Sequence, residues 1–315
     1  MSRSAPTDGK AVAWRQQIHP WARFLTGELV RAAADAAATN IAPVIAGYAA
    51  SRGRLDGVNT IVDRLRAAGC VYAEDEAALL VAATDDPTEL EALVARRIEG
   101  VPLEHVLGWA DFHGRRIVVG PGVFVPRRRS ELLVDEAAAL LRPGAIVVDM
   151  CCGSGAIGAV LTTVVAGIEL HASDIEPVAV RCARRNVEPL GGTVHEGNLY
   201  DPLPPGLHGR VDVIVANAPY VPSDEIETLP REARLHEPLI TLDGGPDGLD
   251  VQRGIVAGAP AWLSPGGHLL IETSEDQAGT TRQVFAAAGF TALQATSEEF
   301  GATVVIGALS LPARR

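Results

Sequence analysis

The sequence predicts an α/β protein in which a doubly wound sheet of Rossmann type follows an N-terminal helical domain and a β-hairpin connector. Three observations lead there. Helical patterning with no strand signal runs to about residue 107, a glycine-punctuated, β-prone stretch occupies 108–130, and from residue 131 short apolar runs alternate with helical patterns. Such alternation is what a sheet with helices on both faces produces. The expected division is a helical domain over 1–107, a hairpin connector over 108–130 and an α/β domain over 131–315. A chain of 315 residues is long enough for one sizeable domain plus a smaller one.

In the first region the periodicity predicts helices over 14–29, 30–50, 58–68, 74–83 and 88–99. Asp86-Pro87-Thr88 is a helix start, with Pro near the first turn and Glu89 and Glu91 placed to favour the N-terminal dipole. In the connector, Gly108, Gly114, Gly120 and Gly122 separate short β-prone runs such as 116–119, which reads as a hairpin. Trp109, Phe112 and Phe124 are expected to cover its junction with the sheet and not a cofactor. Beyond it a helix over 131–141 ends at Pro143-Gly144, and the apolar run 145–148 reads as a buried parallel strand. Further strands are expected at 168–172, 193–195, 211–216, 267–272 and 303–309, with helices such as 177–187 and 278–288 among them.

Composition narrows the classes of function. Hydrophobic residues make up 47% and charged residues 21%, and much of the apolar share is alanine, as in a globular protein. The start, 1–10, is polar, and the apolar stretch 32–50 is broken by Asp35, Asn40 and Pro43. That makes a poor signal peptide or membrane span, so a cytoplasmic location without a membrane partner is expected. Cys151 and Cys152 are adjacent while Cys70 and Cys182 lie far apart, a pattern that matches neither a disulfide framework nor paired metal ligands. Reduced thiols and no metal site are expected. A net charge of −12 disfavours a nucleic-acid substrate, because neutralising phosphates requires a concentrated Lys/Arg surface. Arg115, Arg116, Arg127, Arg128 and Arg129 form the one obvious basic concentration, and the plain reading of that run is a solvated face. His236, beside Glu237, reads as a solvated or capping residue.

The strand over 145–148 runs into Asp149-Met150-Cys151-Cys152-Gly153-Ser154-Gly155-Ala156-Ile157-Gly158. Glycines there let the backbone approach a ligand at a helix N-terminus, so a nucleotide-like cofactor is expected. Gly153, Gly155 and Gly158 also fit the dinucleotide pattern, and Asp174, at the end of the next strand, suits ribose hydroxyls of either kind of cofactor. Cys151 and Cys152 supply small side chains that pack beside it; neighbouring cysteines close a disulfide only with strain.

A second motif bears on that choice. The apolar strand 211–216 ends directly in Asn217-Ala218-Pro219-Tyr220, placing an amide and an aromatic ring at the C-terminal edge of the sheet, where open α/β sheets bind ligands. A planar amide or aryl amine nitrogen is a poor nucleophile because its lone pair is delocalised. The Asn217 side-chain oxygen and a nearby backbone carbonyl can accept its hydrogens and aim the lone pair at the methyl of a sulfonium, with Tyr220 stacked on the planar group. Catalysis of that kind is positioning and electrostatics.

These residues resemble the family of N5-glutamine methyltransferases that modify the Gly-Gly-Gln glutamine of peptide-chain release factors. The resemblance runs from about Val62 to the C-terminus and leaves about residues 1–57 outside. It is carried by Arg96-Arg97 through Pro102, Leu107-Gly108, Phe112-His113-Gly114, Val123-Phe124-Val125-Pro126-Arg127, the glycine loop, Asp174, Asn217 to Tyr220, Glu237-Pro238, and Gly266-Gly267 through Glu272. It implies a class I methyltransferase sheet using S-adenosylmethionine and releasing S-adenosylhomocysteine. By it, Gly153, Gly155 and Asp174 bind that cofactor, Asn198 and Leu199 lie beside the adenine, and Asn217 grips the acceptor amide. The expected site then has Asp149, Cys151, Gly153, Gly155, Asp174, Ile175, Asn198, Leu199 and Asn217 toward the cofactor. Toward the acceptor it has Asn217, Ala218, Pro219, Tyr220 and Arg127, with Asn217 and Tyr220 catalytic. A release factor, docked partly by the helical domain, is the implied partner.

The chain departs from the family pattern in three places. Ala218 replaces the first proline of Asn-Pro-Pro-Tyr, which keeps a carbonyl acceptor but stiffens the backbone less. Arg128-Arg129-Ser130-Glu131 replaces proline and acidic residues and turns a mixed-charge segment basic. Asn198 stands where an acidic residue is usual, and it can still accept from the adenine amine without charge assistance. Three other readings compete: a nucleic-acid or small-molecule N-methyltransferase, since flipped bases also present exocyclic amines, an NAD-dependent oxidoreductase from the glycine loop alone, and a binding module without turnover.

Overall fold

The computed structural model describes residues 52–309, with side chains from residue 58 onward. The helices expected over 14–29 and 30–50 lie outside the described residues. The chain divides into two compact units, one ending at Leu103 and one beginning at Glu104.

The described part of the first unit is helical: α1 (Arg52–Ala67), α2 (Ala73–Ala83) and α3 (Pro87–Ile98). Ile61, Leu65, Ala77, Leu80 and Val94 are buried along these helices, so each turns one apolar stripe inward. Helix α3 starts as the sequence predicts, with the Asp86 side chain accepting from the Thr88 N–H at 2.8 Å and Pro87 in the first turn. Inside this unit Arg97 Nε donates to Glu76 Oε2 at 2.5 Å and its Nη1 to the Val101 carbonyl at 3.0 Å. Both members of the ion pair are under a tenth exposed, at 8% and 5%.

The second unit begins within the short helix α4 (Leu103–Leu107), whose residues the sequence reading had placed in the helical domain, and continues with the antiparallel hairpin β1 (Trp109–Phe112) and β2 (Arg115–Val118). Then follow α5 (Glu131–Leu140), β3 (Ile146–Met150), α6 (Ala156–Val164), β4 (Glu169–Asp174), α7 (Pro177–Val187), β5 (Thr193–Glu196) and β6 (Val211–Ala216). After β6 come α8 (Arg231–His236), α9 (Asp250–Trp262), β7 (Leu263–Thr273), α10 (Glu275–Ala287), β8 (Phe290–Ser297) and β9 (Ala302–Leu309). The seven-stranded sheet has the order β5-β4-β3-β6-β7-β9-β8, with β9 antiparallel to both neighbours and the other pairs parallel. The doubly wound sheet is therefore as expected, with one addition. Strand β8 has no counterpart in the sequence reading, because it is an edge strand whose side chains are mostly exposed or half-buried and lacks an apolar run.

Alternation along each strand feeds two cores. On one face Val147, Val213 and Val215 pack with Leu133 of α5, Val160 of α6 and Val180 of α7. On the other, Val148, Met150 and Ile214 pack with Ile255 and Val256 of α9 and Phe285 of α10. Helix α9 carries Pro260 in its last turn. No helix among the described residues is long and apolar enough to cross a membrane.

Removing one partner of a buried ion pair strands the other charge, which typically costs about 3 to 5 kcal/mol. Arg97→Ala is expected to lower the unfolding free energy of the helical unit by about that amount; a urea melt indistinguishable from wild type would contradict it.

Candidate active site

The strand order reverses between β3 and β6, and open α/β sheets bind ligands beyond the strand ends at such a point. Met150 and Ala216 pair across these strands, so the loop after each begins side by side. A cavity of about 240 Å³ lies there. Cys151, Gly153, Asp174, Ile175, Asn198, Leu199, Asn217, Ala218, Pro219 and Tyr220, all expected from the sequence, line it.

Asp149, Gly155 and Arg127, also expected in the site, are not among the residues that line this cavity. Asp149 is fully buried, and its Oδ2 accepts the Gly158 N–H at 2.9 Å while Oδ1 has no partner. Burial raises its pKa to about 7, against the Gly158 hydrogen bond. Gly155 has φ +75° and caps α6, and a Cβ there would meet Val187 Cγ2 at 2.7 Å, so its glycine serves the turn and the packing of α7. Gly153, by contrast, faces open space and donates its N–H to Asp174 Oδ2 at 2.8 Å. Asp174 Oδ1 accepts the Glu176 N–H at 2.9 Å, so this carboxylate ties the glycine loop to the end of β4. Asn186 of α7 does the same for the hairpin, donating to the carbonyls of Val118 at 2.9 Å and Ser154 at 2.8 Å.

Cys151 and Cys152 are free thiols, and burial pushes both above the usual thiol range, which leaves them inert packing groups.

Beyond the end of β6, Asn217 Nδ2 donates to Ser130 Oγ at 2.9 Å, and the Tyr220 carbonyl accepts from Gln277 Nε2 at 2.9 Å. The segment 217–220 is thus held at both ends although Ala218 lacks the ring of proline. Burial pushes the Tyr220 phenol up to about 12, Arg129 pulling the other way, so it is neutral at physiological pH.

Two expectations change. Of the arginine run, Arg115 and Arg116 are exposed as read from the sequence, whereas Arg127 pairs with Glu237, Arg129 Nε with Glu272 Oε1 at 2.8 Å and Arg128 with Glu299 at 3.1 Å. Side chains of Glu237 and Glu272 are each only 1% exposed, and these carboxylates draw the arginines in. Phe112 and Phe124 line the cavity where the sequence reading put them at a structural junction, because the hairpin folds over the strand ends. Trp109 instead carries Arg116 on its ring at 4.1 Å. His236 ends α8 and its neighbour Glu237 is the buried partner of Arg127. Ser130, Arg129 and the stretch Ile240-Thr241-Leu242 also line the cavity, and nothing in their local pattern marked them.

A glycine loop and an acidic strand end opposite an Asn-x-Pro-Tyr strand end, on this sheet, define an α/β methyltransferase. The family model described as "Methyltransferase small domain" matches residues 115–234. A release factor glutamine methyltransferase of Geobacter sulfurreducens is 39% identical over 70% of this chain and 79% of its own length. Another, of Gloeobacter violaceus, is 42% identical over 63% of this chain and 71% of its own. A solved methyltransferase from Pyrococcus furiosus superposes with TM-score 0.48 at 17% identity, over 63% of this chain and 91% of that one. The chain belongs to the release factor glutamine methyltransferase family.

The raised pKa of Asp149 has a measurable sign. The folded state binds a proton there that the unfolded chain has shed, so the stabilising contribution is complete below the ordinary Asp range and is lost as pH rises through about 7. Asp149→Asn is expected to gain thermal stability relative to wild type as pH rises from about 5 to about 8. Melting-temperature differences that do not change over that range would rule out a titrating Asp149.

Proposed function

We propose that this enzyme transfers the methyl group of S-adenosylmethionine to the side-chain amide nitrogen of a glutamine in a peptide-chain release factor. The observation that carries this reading is the meeting, in one cavity across the β3–β6 pair, of the glycine loop and Asp174 with the Asn217 carboxamide. Family membership supplies the acceptor.

The residues present fit the cofactor. Each Asp174 oxygen holds one backbone donor and keeps acceptor capacity for a ribose hydroxyl. Gly153 leaves space where a side chain would stand, Ile175 offers an exposed apolar surface, and Asn198 and Leu199 lie on the same side for the adenine. When bound, S-adenosylmethionine supplies an electrophilic methyl whose sulfonium leaves as a neutral thioether.

The chain's own part is to orient the acceptor. Asn217 Oδ1 and the Ala218 carbonyl accept the two amide hydrogens, which turns the nitrogen lone pair toward the donor. Tyr220 and Phe112 bound the planar amide and keep water away from it. Tyr220 stays protonated and supplies no base. None is required, because the nitrogen becomes acidic only as it gains the methyl, and its proton, held on an accepting oxygen, is lost to solvent as the product leaves. Arg127 acts at one remove, fixing the segment before α5 through Glu237.

Radiolabelled methyl transfer into release factor, into RNA and into small amides tests the reading: label confined to the release factor glutamine supports it, and label in RNA alone overturns it. Two variants separate the halves of the cavity. Asn217→Ala is expected to slow transfer roughly a hundredfold with cofactor affinity unchanged. Asp174→Ala is expected to weaken cofactor binding by about 1.5 to 3 kcal/mol, the range for hydrogen bonds to a charged group. Isothermal titration and initial rates measure both, and a pattern with the roles exchanged would reverse the assignment.

The helical region adds a docking surface for the macromolecular acceptor, since the second unit alone holds every cavity-lining residue. A chain lacking residues 1–103 is expected to keep cofactor affinity and to lose most transfer to release factor. A folded truncation that methylates release factor at the full rate would refute a docking role.

A further inference from the structure

An asparagine that grips an amide has a problem of orientation. Its carboxamide presents an acceptor on one side and a donor on the other. Turned by half a rotation, Asn217 would offer N–H groups to the N–H groups of the acceptor and repel it.

The Asn217 side chain has one hydrogen bond to protein among the described residues, from Nδ2 to Ser130 Oγ at 2.9 Å. Oδ1 is left for the cavity that Asn217 lines. Ser130 is 2% exposed and borders the same cavity. Its backbone N–H is fixed on the Arg127 carbonyl at 2.9 Å, and the arginines on either side of the turn are held by Glu237 and by Glu272 at the end of β7. Ser130 ends a 3-10 turn over Arg128–Ser130 that runs straight into α5, with helical backbone at φ −71° and ψ −7°, and its side chain makes no capping hydrogen bond. Its hydroxyl meets Asn217.

We propose that Ser130 is a positioning residue for methyl transfer: its hydroxyl holds the Asn217 carboxamide so that Oδ1 faces the acceptor nitrogen. This rests on the glutamine-methyltransferase reading of the same cavity. The acceptor grip is then a pair of residues brought together by the fold from 87 positions apart, and a hydroxyl before α5 belongs to the specificity of the site for amides.

The test compares Ser130→Thr with Ser130→Val, which have nearly the same bulk and differ in the hydroxyl. Transfer to release factor, cofactor affinity and melting temperature are measured for both, for Ser130→Ala and for each change in the Asn217→Ala background. The threonine variant is expected to retain kcat within about threefold, because it keeps the same acceptor oxygen. The valine and alanine variants are expected to lose about tenfold to a hundredfold in kcat, the scale of a misplaced reacting group, with cofactor affinity and melting temperature held. In the Asn217→Ala background the Ser130 changes are expected to cost nothing more, since the interaction is already gone. Equal kcat for Thr and Val, or full additivity with Asn217→Ala, would overturn the assignment. Wild-type enzyme that does not label release factor would instead bring down the underlying reading, and the assignment with it.

Discussion

Everything at this site depends on one pairing, that of β3 with the parallel β6. The Met150–Ala216 register sets two chain exits side by side at the same edge of the sheet, one leading into the glycine loop and the other into Asn217. Since strands alternate their side chains, a shift of one residue would turn Asp149 and Val215 to the opposite face and bury neither correctly. The apolar residues on both faces therefore fix the register, and the register fixes the separation of donor and acceptor. A methyl transfer that relies on proximity more than on acid–base chemistry needs such a rigid reference.

The second constraint is electrostatic. Glu237 and Glu272 are carboxylates with almost no exposure, each with one oxygen lacking a partner. Buried charges of that kind persist only when paired, and the arginines at 127 and 129 are what pairs them. The consequence is mechanical. The turn before α5 is drawn onto the strand ends, the Arg129 guanidinium comes to rest 5.6 Å from the Tyr220 ring centre, and Ser130 is brought within reach of Asn217. A segment that looks basic in sequence thus becomes a neutral clasp.

These two constraints also explain what the sequence revealed and what it hid. The glycine loop, Asp174 and the Asn217 tetrapeptide were legible because each sits where an apolar strand ends, and strand-end position is a local property. Asn198 and Leu199 came from family resemblance, since their loop has no pattern of its own. Ser130, Arg129 and Phe112 were not legible as cavity residues, because their roles depend on partners such as Glu272 and Asn217 that are distant in the chain. The same holds for Asp149 and Gly155: the sequence places them in the loop, but only packing against Gly158 and Val187 shows that they support the wall. Strand β8 escaped for a different reason, as an edge strand with one side in solvent needs no apolar run.

The division of charge within the cavity fits the reaction proposed for it. On the donor side stand two carboxyl groups, Asp149 behind the loop and Asp174 at its lip, both with pKa values raised chiefly by burial. A raised pKa favours the protonated form, so Asp149 brings little negative charge to the cavity below about pH 7, and Asp174 serves there as a hydrogen-bonding group. On the acceptor side each nearby charge is matched, Arg127 by Glu237 and Arg129 by Glu272, and the Tyr220 phenol is neutral. A neutral amide can enter such a region without facing an unpaired charge that would prefer water to it. A charged acceptor such as a lysine ammonium would have to lose a proton first, and among the described residues the carboxylates nearest this side, Glu237 and Glu272, are already paired with arginines. In the proposed reaction, selection for an amide would then arise from pairing as much as from shape, since the buried carboxylates Glu237 and Glu272 are taken up by arginines.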